Sequence, residues 1–119
     1  MAAASIKEVA LLLDLSVKFS FSNEIKYAGN SPGGGQDKIL EICRITGADH
    51  YINAANGIEL YDRTKFDMQH IKLNFIKMEE IQYTQFSKTV FNPFLSILDV
   101  LMFNSTEETK VLLKKYELV

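Results

Sequence analysis

Apolar residues recur along this chain at two spacings, and the changes between them mark out its elements. Over residues 5–15, Ile6, Val9, Ala10 and Leu13 fall at helical spacing. In "SVKFSFS" the period drops to two: Val17, Phe19 and Phe21 alternate with Lys18, Ser20 and Ser22, which predicts a strand over 17–22 with one buried face. The stretch "AGNSPGGGQ" has neither period and reads as a loop. Helical spacing returns in "QDKILEICRITG", with Ile39, Ile42, Cys43 and Thr46 on one stripe, Asp37 in the first turn and Gly47 placed to end the helix. "HYINA" predicts a short strand over 50–54, and "NGIELYDRTKFD" a turn followed by a short helical piece. "IKLNFIKM" predicts a third strand over 71–77, with Ile71, Leu73 and Phe75 on one face. Residues 79–90 fit a fourth, shorter strand running into a loop.

Two helices complete the pattern. Asn92 and Pro93 have the chemistry of an N-cap and a first helical residue, so the spacing predicts a helix from there. Ser105 and Glu108 have capping-box spacing and predict a last helix that runs on toward "KKYEL", with Lys114 and Lys115 near its negative end. Strands alternating with helices define an α/β fold: a small, mostly parallel sheet of three or four strands with flanking helices, resembling half of a Rossmann-like fold, in one domain over residues 1–119. Phe19, Phe21, Ile39, Ile42, Ile52, Leu73, Phe75, Ile97, Leu98 and Leu101 are the expected core.

The polar exceptions are the candidate chemistry. Along the predicted helix in "FNPFLSILDVLMFNS", Asn92, Ser96, Asp99 and Phe103 lie on one line, a narrow polar seam on a greasy helix. The seam either faces water or places Asp99 in a cleft or against a neighbouring loop. In the second case the carboxylate must have partners, because a buried unpaired charge costs several kcal/mol. We expect Asp99 to anchor loop 79–92 through its backbone N–H groups, with Tyr83 and Gln85 offering ligand-facing groups beside Ser96. Asn53, Asn56 and Gly57 end the predicted strand 50–54 and suit either sugar or base hydrogen bonds or turn chemistry. Gly33, Gly34 and Gly35 precede a helix start, where backbone N–H groups attract anions. The loop carries neither a Walker A nor a GxGxxG sequence, so a plain connector is the preferred reading. His50 has general-base chemistry, but with no identified partner it reads first as a structural residue. Cys43 lies on its helix's apolar stripe.

Composition narrows the classes. Of 119 residues, 47% are hydrophobic and 24% charged, which suits one globular domain, and the formal net charge of −2 with scattered Lys and Arg gives no pull toward nucleic acid. A lone cysteine allows no internal disulfide and fits a reducing, cytoplasmic setting. With only two histidines, a structural metal is not expected, and no cofactor motif is present. No apolar run reaches the roughly 20 residues of a membrane span.

The segments "ILEICRITGADHYINAANG" and "YTQF…FNPFLSILDVLMFNS" resemble the WbqC-like proteins, the latter combining Tyr83-x-Gln85, Phe91-x-Pro93-x-Leu95-Ser96-Ile97-Leu98-Asp99 and Phe103-Asn104 in the family's order. The resemblance runs from about Leu11 to near the C-terminus and corresponds to the second, C-terminal half of the family domain. Where relatives carry a lysine- and threonine-containing run, this chain has "PGGGQDK", and "NAANG" keeps only Gly57 of another glycine pattern. The resemblance implies a setting in bacterial surface polysaccharide or O-antigen synthesis. It points to a transferase-like protein, or part of one, that acts on or binds an activated sugar, either a sugar nucleotide or a lipid-linked sugar. The alternative is a non-catalytic binding or scaffold domain that completes a larger enzyme or recognises an acidic metabolite. A half-fold would leave apolar surface uncovered, so a homo-oligomer or a covering partner is expected.

Overall fold

The computed structural model describes residues 2–26, 34–86 and 90–119. The chain divides into two compact units, residues 20–77 with 118–119, and residues 1–19 with 78–117.

The first of these units carries the sheet and a well-filled core. Helix α2 (Gly35–Thr46) presents Leu40 and Cys43 inward and stops at Gly47, whose φ of 70° is the left-handed conformation that glycine adopts without a Cβ penalty. Strand β1 (His50–Ala54) pairs in parallel with β2 (Lys72–Met78), with Tyr51 opposite Leu73 and Asn53 opposite Phe75. A 3-10 helix (Ala55–Leu60) and the short helix α3 (Arg63–Asp67), N-capped by the Asp62 side chain, make the crossover. Leu40, Cys43, Phe66, Ile71, Leu73 and Phe75 form one buried cluster, each no more than 4% exposed. The period of two in 71–77 thus became a strand with a buried Ile71, Leu73, Phe75 face, shifted by one residue from its expected bounds.

The third strand is not the expected one. Residues 17–22 join no ladder: the Val17 amide bonds Leu15, the Glu24 amide bonds Phe21, and Val17, Phe19 and Phe21 are exposed. Alternation describes a buried face only when a partner strand exists, and here local turns take up the backbone groups. The sheet is completed instead by β3 (Tyr116–Leu118), in the order β1-β2-β3. Phe75 and Val119 exchange both backbone hydrogen bonds at 2.7 and 2.9 Å, the signature of an antiparallel pair. The sheet is therefore small and mixed, not mostly parallel. The expected fourth strand is also absent among the described residues of 79–90.

The second unit holds helices α1 (Ala2–Leu12), α4 (Ile97–Phe103) and α5 (Thr106–Leu112). Helix α5 begins with the anticipated capping box. Glu108 N–H donates to Ser105 Oγ at 3.2 Å, and the Glu108 carboxylate accepts from Ser105 N–H at 2.8 Å. Helix α4 begins four residues later than the Asn92-Pro93 signal suggested, with Ser96 as N-cap through its Oγ and the Leu98 amide. Two features displace the start: Gln85 holds the Asn92 peptide from both sides, and Phe94 takes a left-handed φ of 57° that breaks any helix there. Of the expected core, Leu73 and Phe75 are buried, Ile39, Ile42, Ile97 and Leu101 half-buried, and Phe19, Phe21, Ile52 and Leu98 exposed. Ile52 lies on the open face of β1, and Leu98 on the open side of an α4 that starts at Ile97.

Candidate functional site

Residues 81–86 alternate in burial with a period of two: Ile81, Tyr83 and Gln85 are half-buried, while Gln82, Thr84 and Phe86 are exposed. That face meets Asp99, in the first turn of α4. The Tyr83 hydroxyl donates to Asp99 Oδ2 at 2.5 Å, and Gln85 Nε2 donates to the same oxygen at 3.0 Å. Gln85 Nε2 also reaches the Asn92 carbonyl at 3.1 Å, and Gln85 Oε1 accepts from the Asn92 amide at 2.9 Å. The Tyr83 ring meets Phe91 edge-on, with centroids 5.2 Å apart. Among the described residues, Asp99 therefore meets the 79–92 segment through two side chains, Tyr83 and Gln85, rather than through backbone N–H groups. Partial burial and the bond to the Asp99 carboxylate push the Tyr83 phenol above its ordinary pKa, with the Gln85 amide opposing. The site thus presents a neutral phenol and a carboxylate that is fixed in place by two donors.

Tyr83 also lines a chamber of about 360 Å³ whose walls are mostly apolar, including Met78, Ile81, Leu95, Val100 and Leu112. Its polar lining residues are Glu79, Tyr83 and Thr109. Thr109 is fully buried, and its hydroxyl donates to the Ser105 carbonyl at 2.8 Å. The chamber residues Met78, Phe94, Thr109 and Leu112 were not anticipated from sequence. Ile81 alone carried a signal, the alternation it shares with Tyr83 and Gln85.

The other expected site residues lie elsewhere. Ser96 caps α4 and lines a second apolar cavity of about 460 Å³ with Ile6, Leu13 and Leu98. In the sheet-bearing unit, Asn53 Nδ2 donates to the Tyr61 hydroxyl at 2.9 Å while its Oδ1 accepts from the Ala54 amide at 2.8 Å. Tyr61 in turn meets the Tyr51 hydroxyl at 3.4 Å, and Tyr51 stacks on Phe66 with centroids 5.8 Å apart. Burial, reinforced by Tyr61, pushes the Tyr51 phenol well above its ordinary range. Gly57 is buried beneath this group; a Cβ there would sit 3.6 Å from Asn53 Nδ2 and from the Tyr61 ring. Asn56 is exposed on the 3-10 helix. His50 Nε2 lies 2.9 Å from Asn74 Oδ1, and Asn74 Nδ2 donates to the Val119 carbonyl at 3.2 Å. Gly34 and Gly35 begin α2 with open space around both, and Gly33 lies outside the described residues. Among the described residues, no group of three or more His, Cys, Asp and Glu side chains is arranged to hold a metal ion, and no helix is long and apolar enough to cross a membrane.

A mixed three-stranded α/β unit, and beside it in sequence a helical unit with a tyrosine–glutamine–aspartate network on an apolar chamber, define a small α/β protein with a formed pocket. The model of the WbqC-like protein family matches residues 1–111, and the chain belongs to that family. No curated protein and no solved structure matches it.

Proposed function

We propose that this chain is a transferase-like, cytoplasmic component of bacterial surface polysaccharide synthesis that binds the hydroxylated sugar of an activated sugar through Tyr83, Gln85 and Asp99. The observation that carries the reading is family membership over residues 1–111, together with the setting that this family implies. The site adds support. A carboxylate held by two fixed donors is preorganised to accept from sugar hydroxyls, and Tyr83 offers an aromatic face for a sugar ring. The adjoining chamber, at about 360 Å³, lies within the roughly 300–1,000 Å³ typical of ligand pockets. The parallel β1–β2 pair is the part of the fold that a Rossmann-like half would share.

A second reading is a non-catalytic binding domain. It is favoured by the raised pKa of Tyr83, which keeps the phenol protonated as a hydrogen-bonding group rather than poised as a base. Many apolar residues of the helical unit, among them Leu11 at 72% and Met102 at 81% exposure, favour self-association or a covering partner. Elution that shifts earlier with protein concentration checks that part.

The deciding experiment is a thermal-shift panel of sugar nucleotides. A ligand that binds only the native state at about 100 times its Kd adds about 2.7 kcal/mol of apparent stability. At least one member should raise the melting midpoint of the parent and leave Tyr83→Phe and Asp99→Ala unmoved. A panel with no response, or a response that survives both substitutions, removes sugar binding at this site.

A further inference from the structure

We infer that the chamber beside Tyr83 takes a hydrocarbon group carried on a hydroxylated sugar, so that the end of the ligand lodged here is uncharged and glycolipid-like, with any phosphate of the activated sugar lying away from the chamber. The inference rests on the sugar-binding reading of Tyr83, Gln85 and Asp99 and adds the part of the ligand that lies beyond them.

Three observations support it. The walls are largely aliphatic, and the one buried hydroxyl among them, Thr109 Oγ1, is already spent on the Ser105 carbonyl. The interior therefore has little to offer a polar group and favours the transfer of apolar surface out of water. The charge is one-sided: Glu79 lines the chamber, the Tyr83 hydroxyl leads to the Asp99 carboxylate, and no Lys, Arg or His is among the described lining residues. An anion at this end would meet carboxylates without a cation, whereas the hydroxyls of a neutral head would find acceptors in the Asp99 carboxylate and the Tyr83 oxygen. Third, Phe94 lines the same chamber in a left-handed backbone conformation, with φ of 57°, while 71% exposed. A bulky residue in that region is strained. Its ring gains little from burial in return, which fits an aromatic side chain kept at the mouth to cover an entering chain.

The test compares methyl β-glucoside, octyl β-glucoside below its micelle-forming concentration, and octanoate, each titrated into the full chain and followed by methyl-group NMR shifts. The expected result is octyl β-glucoside binding at least roughly tenfold more tightly than methyl β-glucoside, since each buried methylene favours transfer from water, with octanoate not binding. Phe94→Gly relieves the backbone and removes the ring, and Leu95→Trp fills the chamber from a side chain that is 43% exposed. Neither should lower the melting midpoint, and both should lose the octyl preference, while methyl β-glucoside binding stays. Equal affinities for the two glucosides overturn the inference and leave the sugar reading standing. Octanoate binding as tightly as octyl β-glucoside overturns the charge argument and the inference with it. If neither glucoside binds, the inference is also lost, and the sugar nucleotide panel separately decides the reading beneath it.

Discussion

Asp99 receives two hydrogens on one carboxylate oxygen, from Tyr83 and from Gln85, and this sets what each residue is worth. Removing the carboxylate leaves both donors without their acceptor. Because Asp99 is half-buried, we expect Asp99→Ala to cost ~1.5–2 kcal/mol, the lower part of the range for hydrogen bonds to charged groups. Gln85→Ala should cost a similar amount, since the amide also clamps the Asn92 peptide on both sides. A urea midpoint that falls for both variants with an unchanged slope checks this; a Gln85→Ala protein as stable as the parent would show that the clamp is incidental. The sequence pointed to Tyr83, Gln85 and Asp99 as a group, but assigned the glutamine to a ligand alone. Side-chain to backbone bonds of this kind depend on where an irregular segment passes, and no local spacing encodes that. The same residues predict a pH response. Tyr83 and Tyr51 both have folded pKa values above the ordinary tyrosine value. Their contribution is full below the unfolded value of about 10 and is lost as pH rises through the folded values, because the unfolded chain releases these protons first. Unfolding measured from pH 8 to 11 should show the parent weakening, and Tyr83→Phe and Tyr51→Phe each weakening less steeply. Parallel curves for all three proteins would contradict the assignment.

Among the elements, those with strong local signals formed where the sequence placed them. Strand β1 has its expected bounds, α2 ends at Gly47, and α5 opens on the Ser105–Glu108 box. Each rests on chemistry within a few residues of itself. The elements that went elsewhere depend on distant partners. Val17, Phe19 and Phe21 have the alternation of a strand but join no ladder, and local turns take up backbone groups there. Tyr116 and Leu118 make too short a pattern to read, and form β3 only because β2 offers an edge. Helix α4 lost its first turn to the Gln85 clamp on Asn92. The local signals can be tested one at a time. Gly47→Ala puts a Cβ into open space, so its cost is purely that of a left-handed backbone, ~1 kcal/mol. Ser105→Ala removes the cap of a seven-residue helix and should also cost ~1 kcal/mol. The Ser105 amide and hydroxyl hold the Glu108 carboxyl below its ordinary pKa. That contribution is present above the unfolded value and lost as pH falls through the depressed one, so acid should narrow the stability gap between parent and Ser105→Ala. A gap that stays constant through the acid range would mean that the capping box is not formed in solution.

At the scale of the whole molecule, the two units differ in how fully they are packed. The sheet-bearing unit has six side chains in one cluster, none more than 4% exposed. Among the described residues of the helical unit, the buried ones are Ala10, Leu13, Val100 and Thr109, set among cavities of about 360 and 460 Å³. Cavities forfeit dispersion contacts along their walls, and sparse burial lowers the free energy of local opening. The helical unit should therefore open more readily than the sheet. Native-state hydrogen exchange reads this directly. The amides of Cys43, Leu73 and Phe75 should exchange at a rate near that of global unfolding, and those of α4 and α5 faster, through smaller openings. The same experiment bears on ligand binding, because a molecule seated in the chamber stabilises the state it binds. Saturation with octyl β-glucoside should slow exchange in α4 and α5 and leave α2 and β2 little changed, since those two already open only with the whole protein and gain just the global increment. Uniform protection across both units in the free protein would show that the helical unit is as well supported as the sheet, and the packing difference would then have no consequence for stability.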